Sequence, residues 1–171
     1  MESKYSHSQK MKLIGISILC FLINHCYGFS HIFEQIPKSI EKTDYIFIVE
    51  INTQTNFLFY KKTLIDQFPI STGSKTRYKG NREMKEGLWR LSLKMDKNLA
   101  PIYGVRLIYL DKYNVNKKKF YRTNKAFHGT NEPQNIGKPT SMGCVYHFDE
   151  DILDIYSFIP KHTLVITVKE V

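Results

Sequence analysis

Phe127-His-Gly-Thr-Asn-Glu-Pro-Gln-Asn-Ile-Gly-Lys-Pro-Thr-Ser-Met-Gly-Cys-Val-Tyr-His147 is the stretch on which the reading of the fold turns. A strand-like run, Lys125-Ala-Phe127, leads into it, and a helix-like run from Ile152 to Phe158 follows. Between His128-Gly129 and Ser141-Met142-Gly143-Cys144 lie Asn, Pro and Gly residues that break regular structure and build a tight looped excursion. Held between ordered elements, such a loop is expected to bring a sequence-distant histidine and cysteine side by side.

That pairing has a chemistry. A free thiol is only a few per cent ionised near neutrality, and the thiolate is the nucleophile. His128 is the candidate base that takes the proton to give a thiolate–imidazolium pair, and Cys144 the candidate nucleophile. Gly143 has no side chain to block a reacting carbonyl, and backbone N–H groups around Gly143 and Cys144 are candidate oxyanion donors. The reaction class is acyl transfer through a thioester.

Outward from this loop the chain reads as mainly β. Tyr45–Ile51, Phe57–Tyr60 and Leu64–Ile70 are rich in β-branched and aromatic residues and are separated by polar turns, as in an antiparallel meander. Gly87–Leu93 alternates, with Leu88, Arg90 and Ser92 on one face and Trp89, Leu91 and Leu93 on the other. Tyr103–Leu110 and Leu164–Val168 are further strands. After Cys144 the period changes to that of a helix: Ile152, Ile155, Tyr156 and Ile159 form one stripe, Asp149 is the candidate N-cap and Pro160 the stop. Ser74–Glu86 is a basic loop carrying Lys75, Arg77, Lys79, Arg82 and Lys85, a solvated segment or a contact for substrate carboxylates.

The 171 residues suit one domain, with no internal repeat and no separate binding module. Met1–Lys12 is polar and basic, Leu13–Ile23 is an apolar run too short to span a bilayer comfortably, and Cys26-Tyr27-Gly28 offers small residues at alternate positions. Residues 1–28 therefore read as an export signal, or as an uncleaved N-terminal anchor, with 29–44 a lead-in, partly helical from Ile32 to Ile36, and 45–171 the functional domain. Removal of residues 1–28 leaves 22 basic and 15 acidic residues and makes Cys144 the one remaining cysteine, a candidate reactive thiol. The basic surface suits an anionic partner. No arginine-rich helix or aromatic nucleic-acid signature appears, so nucleic acid is not expected as a partner. Cys144 and His147 have C-x-x-H spacing, with His128 and His162 as further donors. No second Cys or His pair supports a metal site, and none is expected.

The pattern His128-Gly129-Thr130-Asn131, Pro133, Ile136-Gly137, then Ser141-x-Gly143-Cys144-Val145 resembles the signature of the L,D-transpeptidase catalytic domain, the YkuD-like family, with weaker similarity over Tyr45 to Val168. Ser71-Thr72-Gly73 also looks like the turn that closes the family's opening hairpins. The resemblance implies a sandwich- or barrel-like β fold with one helix after the active-site loop. It implies an exported cysteine enzyme of a bacterial periplasm or cell envelope, serving peptidoglycan biosynthesis, wall organisation and cell shape. Cys144 attacks a peptidoglycan stem peptide and the acyl group passes to an amine, cross-linking stems or attaching a protein. The resemblance makes Cys144, His128 and Gly129 catalytic, the last through its carbonyl, and puts Ser141, Met142, Gly143, Tyr146 and Thr130 around the substrate. It implies no cofactor, a monomer, and membrane contact only through an uncleaved N-terminal segment. It also implies a lid ahead of His128, where Tyr113, Phe120 and Tyr121 either face substrate or, as is more usual for aromatics in such a segment, serve as packing residues. Two positions depart from the family: Met142 stands where a second histidine is usual, and Tyr146 where Arg or Asn is usual. Those family residues help to hold substrate, so hydrolysis of the same linkage, or a wall-binding domain with a dead site, stand as alternatives.

Overall fold

The computed structural model describes residues 29–40, 43–74 and 82–171. The proposed export segment, and residues 75–81 of the basic loop, lie outside the described residues. Residues 29–34 are helical, two or three residues earlier than the spacing predicts, and bury Phe29, Ile32 and Phe33 at i, i+3 and i+4. They belong to a unit distinct from Lys38–Glu170.

Lys38–Glu170 is built on one eight-stranded sheet: β1 Tyr45–Glu50, β2 Thr55–Tyr60, β3 Thr63–Pro69, β4 Gly87–Met95, β5 Leu107–Asn114, β6 Lys119–His128, β7 Val145–Tyr146 and β8 Leu164–Val168. The strand order is β3-β2-β1-β8-β4-β5-β6-β7. Pairings are antiparallel except β1–β8 and β6–β7. The chain leaving β3 then bridges to the far end of that order. Ser71 pairs with Tyr146 and Gly73 with Ser141, through Ser71 N–H to Tyr146 O at 3.0 Å and Tyr146 N–H to Ser71 O at 2.8 Å. This junction curls the sheet towards closure, the barrel-like form the sequence suggests, and it satisfies edge groups that would otherwise be open.

The core follows the alternation of the strands. Phe47, Leu58, Leu91, Ile108, Leu110, Phe127, Val145 and Val165 cluster with Ile152 and Ile155 of the helix Asp149–Phe158 and with its C-cap Ile159. Phe47 and Phe127 pack edge to face at 5.5 Å. Truncating any of the three isoleucines to alanine should cost about 2–5 kcal/mol, the range for buried large-to-small changes.

Three local expectations are corrected. Phe148, not Asp149, is the N-cap of the helix, and Asp149 lies in its first turn. The alternation in β4 fails after Leu91: Ser92 is buried and Leu93 exposed, because the β4–β5 register shifts between Leu91 and Lys94 and a bulge turns the side chains over. The expected lid is a hairpin. Tyr103 sits in a 3-10 turn, Pro101–Tyr103, and residues 112–122 are the end of β5, its turn and the start of β6. Tyr113 and Phe120 are register partners whose rings pack at 5.1 Å, and Tyr121 is exposed. Phe120 lies eight residues from His128 along β6, roughly 25 Å at strand rise. Tyr113, Phe120 and Tyr121 therefore do not face the candidate site.

Candidate active site

β6 delivers His128 as its last residue, and the parallel pairing with β7 sets His128 opposite Tyr146 and Phe127 opposite Val145. Cys144 lies in the bend that immediately precedes β7, two residues before Tyr146, and its thiol lies against the β6 backbone at Asn124 and Ala126, two to four residues before His128. The loop between them is pinned to the strand end that closes the sheet. Gly137 N–H donates to Ile70 O at 2.8 Å, Ser141 N–H to Thr72 O at 2.9 Å, and the Ser71 hydroxyl to Lys138 O at 2.7 Å. Buried Gln54 holds Thr72 in turn, accepting its N–H at 2.7 Å and donating to its hydroxyl at 2.8 Å.

The His128 ring is buried between Tyr103 and Tyr146, whose ring centroids lie 5.0 and 4.5 Å away. Its Nδ1 is 2.6 Å from Gly129 O. A carbonyl only accepts, so Nδ1 carries the proton and Nε2 keeps its lone pair, the tautomer a base needs. Burial pushes the ring's pKa down to about 4, against the pull of the Gly129 carbonyl.

Cys144 is half-buried, and its thiol is 3.8 Å from Asn124 O. Burial pushes the thiol up, while the Ala126 backbone and the Lys125 ammonium pull it down. No thiol–imidazole hydrogen bond forms among the described residues, and the opposite shifts make both partners neutral at pH 7. In place of the pre-formed ion pair expected from the sequence, the thiol and the imidazole are both neutral. Catalytic contacts of this kind are often long before substrate tightens them.

The other expected site residues divide by role. Ser141 is fully buried; its hydroxyl donates to Cys144 O at 2.6 Å and accepts the Gly143 N–H at 3.0 Å, so it ties the turn that carries Cys144. The Gly143 N–H is therefore engaged, whereas the Cys144 N–H makes no hydrogen bond among the described residues and is the candidate oxyanion donor. Gly143 has φ +108°, a conformation that favours glycine, and a Cβ there would lie 2.0 Å from Lys125 Nζ and 3.0 Å from Arg82 O. Tyr146 is buried against the His128 ring, and Thr130 is buried beneath the loop. Met142 is 48% exposed at the loop tip, the one of these side chains open to solvent.

Sequence reading missed four participants. Asp149 Oδ1 accepts the Thr130 N–H at 3.2 Å, in a space where a Cβ on Gly129 or Gly104 would come within 2.0 or 2.2 Å of it, so it braces the Gly129 corner. Tyr103 supplies one wall of the His128 pocket. Lys125 stands over Gly143. Asn56 Nδ2 lies 3.0 Å from Nε2 of the fully buried His147, which keeps that ring in the core and away from any role in place of Met142. The acidic residue after the helix cap was the readable signal for Asp149; the others depend on register and reach.

The fold and the loop have known counterparts. YkuD of Bacillus licheniformis is 26% identical over 121 residues, 71% of this chain and 64% of that protein. Bd1075 of Bdellovibrio bacteriovorus superposes with a TM-score of 0.60 at 16% identity, over 75% of this chain and 49% of that one. An L,D-transpeptidase of Stackebrandtia nassauensis gives 0.55 at 20% identity, over 78% and 62%. This chain thus spans about half to two-thirds of the length of these relatives, and the two structures match it in fold. A sequence profile for the L,D-transpeptidase catalytic domain matches residues 44–167, taking in the sheet, the pinned loop, His128 and Cys144, and on that match the chain belongs to the L,D-transpeptidase catalytic domain family.

Proposed function

We propose that this chain is an exported cysteine L,D-transpeptidase that acts on peptidoglycan stem peptides in the bacterial envelope. The observation that carries the reading is the His128 ring, locked by Gly129 O at 2.6 Å with its Nε2 lone pair free, at the end of the strand whose backbone the Cys144 thiol lies against. Cys144 Sγ attacks the carbonyl joining the diamino acid to the terminal D-alanine as His128 Nε2 takes the thiol proton. The Cys144 N–H stabilises the oxyanion. His128 returns the proton to the D-alanine nitrogen, the amide C–N bond breaks, and a thioester remains. An acceptor amine then attacks the thioester, gives its proton to His128, and Cys144 leaves as the thiol.

The test is intact-protein mass spectrometry with a synthetic tetrapeptide stem. A covalent adduct is expected that Cys144→Ala abolishes and His128→Gln slows. Adding an amine acceptor should convert the adduct to a dimer, whereas free trimmed peptide alone would assign hydrolysis. Absence of any adduct from the folded chain would leave only the dead-site reading.

A further inference from the structure

We propose that Lys125 is the counter-ion of the Cys144 nucleophile, its ammonium seated in the space left by the missing side chain of Gly143. Lys125 lies on β6 two residues before Phe127, the partner of Val145, and its Nζ lies 2.0 Å from where a Cβ on Gly143 would be. Any side chain at 143 would evict the ammonium. The thiol itself is flanked by the β6 backbone on both sides of Lys125, with Asn124 O at 3.8 Å and the Ala126 backbone against the sulfur. The lysine is therefore at the nucleophile's own position along the strand.

The site needs such a charge. His128 is too deeply buried to hold a resting imidazolium, so it cannot stabilise a thiolate before reaction. Burial lowers Lys125 as well, Cys144 raises it, and Arg82 is the other charge that it feels. The ammonium thus pulls the thiol towards ionisation, and the thiolate in return favours the ammonium. As the S–H bond breaks, the proton goes to His128 Nε2 and the negative charge stays on sulfur beside Nζ until the C–S bond forms. A lysine here also offers one answer to the absence of the family's second histidine at Met142: a fixed cation reaches the nucleophile from β6 instead of from the loop.

The inference rests on Cys144 being the nucleophile, but its test needs no peptide. Iodoacetamide alkylation of Cys144 is followed against pH in the full chain, in the neutral variants Lys125→Met and Lys125→Gln, and in Lys125→Arg, with melting curves to establish folding. The neutral variants should move the alkylation midpoint up by about one pH unit. Near pH 7 their rate should fall roughly threefold, since a more basic thiolate is scarcer but more reactive. Lys125→Arg should restore the midpoint. The reciprocal measurement needs no lysine variant: the Lys125 ammonium, followed by NMR, should titrate at lower pH in Cys144→Ser than in the wild-type chain. An unchanged midpoint in the neutral variants, or an arginine variant that behaves like the methionine one, overturns the assignment, as does a Lys125 titration indifferent to Cys144. A shifted midpoint without any stem-peptide adduct would leave Lys125 as counter-ion and instead sink the transpeptidase reading.

Discussion

Two histidines flank the β6–β7 junction, and their surroundings divide the molecule into a working edge and a sealed core. His128 and His147 are both buried, and the His147 N–H donates to His128 O at 2.9 Å. Both rings are driven down in pKa, to about 4 and about 3, chiefly by burial, with the charge on His128 lowering His147 further. Burial and titration do not tell them apart. Their partners do. His128 is fixed by a carbonyl that leaves its basic nitrogen free, between two tyrosines, at the end of β6. His147 spends its Nε2 on the Asn56 amide and packs against Phe68 and Phe127 at 6.3 and 4.9 Å. A carbonyl engages the protonated nitrogen and leaves a lone pair available, whereas an amide N–H consumes the lone pair itself.

The largest effect expected from this contrast is on acyl transfer. His128→Gln should lower the rate of adduct formation by about 100- to 10,000-fold, the range for removal of a general base. His147→Gln should leave the rate within a few-fold once folded enzyme is counted. Stopped mass-spectrometric time courses with the stem peptide measure both. Equal losses in the two variants would erase the distinction.

Much of this edge was legible from the chain, for a physical reason. A turn-rich loop between His-Gly and Gly-Cys leaves few ways to fold, and Leu164–Val168 and the stripe from Ile152 to Ile159 follow periods that tertiary contacts do not override. What stayed hidden depends on reach across the sheet. Leu93 is exposed because of a bulge that its own alternation does not encode. The aromatic run around Phe120 resembles a lid until its pairing with Tyr113 shows a hairpin. Two lysines, Lys61 and Lys62, occupy the β2–β3 turn with φ of 49° and 68°, where Asn-Gly is the usual signal. Lys125 and Asn56 act on partners 18 and 91 positions away, at distances no local pattern carries.

A smaller effect, common to both histidines, is acid sensitivity. Their folded pKa values lie below the unfolded value near 6.5, so at pH 4–6.5 the unfolded chain binds more protons. The stability they contribute is complete above pH 6.5 and is lost as pH falls towards 4 and then 3, by up to a few kcal/mol. Asp151 acts in the opposite sense, because burial and the carboxylates of Glu150, Asp66 and Asp154 raise it to about 6. It disfavours the folded state as pH climbs from 4 to 6, with reduced weight because the carboxyl is largely solvated. Denaturant midpoints measured from pH 7 to pH 4 should fall in the wild-type chain, less steeply in His147→Leu, and more steeply in Asp151→Asn.

The smallest effect sharpens the comparison most, because it tests whether the core histidine is more than packing. Among the described residues, Asn56 Oδ1 and His147 Nδ1 are both buried without a hydrogen-bond partner of good geometry, so the Asn56–His147 contact is a polar pair only half satisfied on each side. Cutting one member leaves the other's nitrogen unpaired in an apolar cage, which costs about 1–3 kcal/mol. Replacing both with apolar groups of similar shape removes every buried polar atom of the pair, and such exchanges can be nearly neutral. Asn56→Leu and His147→Leu should therefore each lower stability by about 1–3 kcal/mol, and the double variant by clearly less than their sum, in a urea-unfolding cycle. In all three the pH profile of Cys144 alkylation should stay where the wild-type chain has it. If the double variant recovers stability but the thiol titration moves, the core reaches the nucleophile through His128 O, and edge and core are one electrostatic unit; if neither moves, His147 and Asn56 are a polar relic that the β1–β2 core tolerates beside the base.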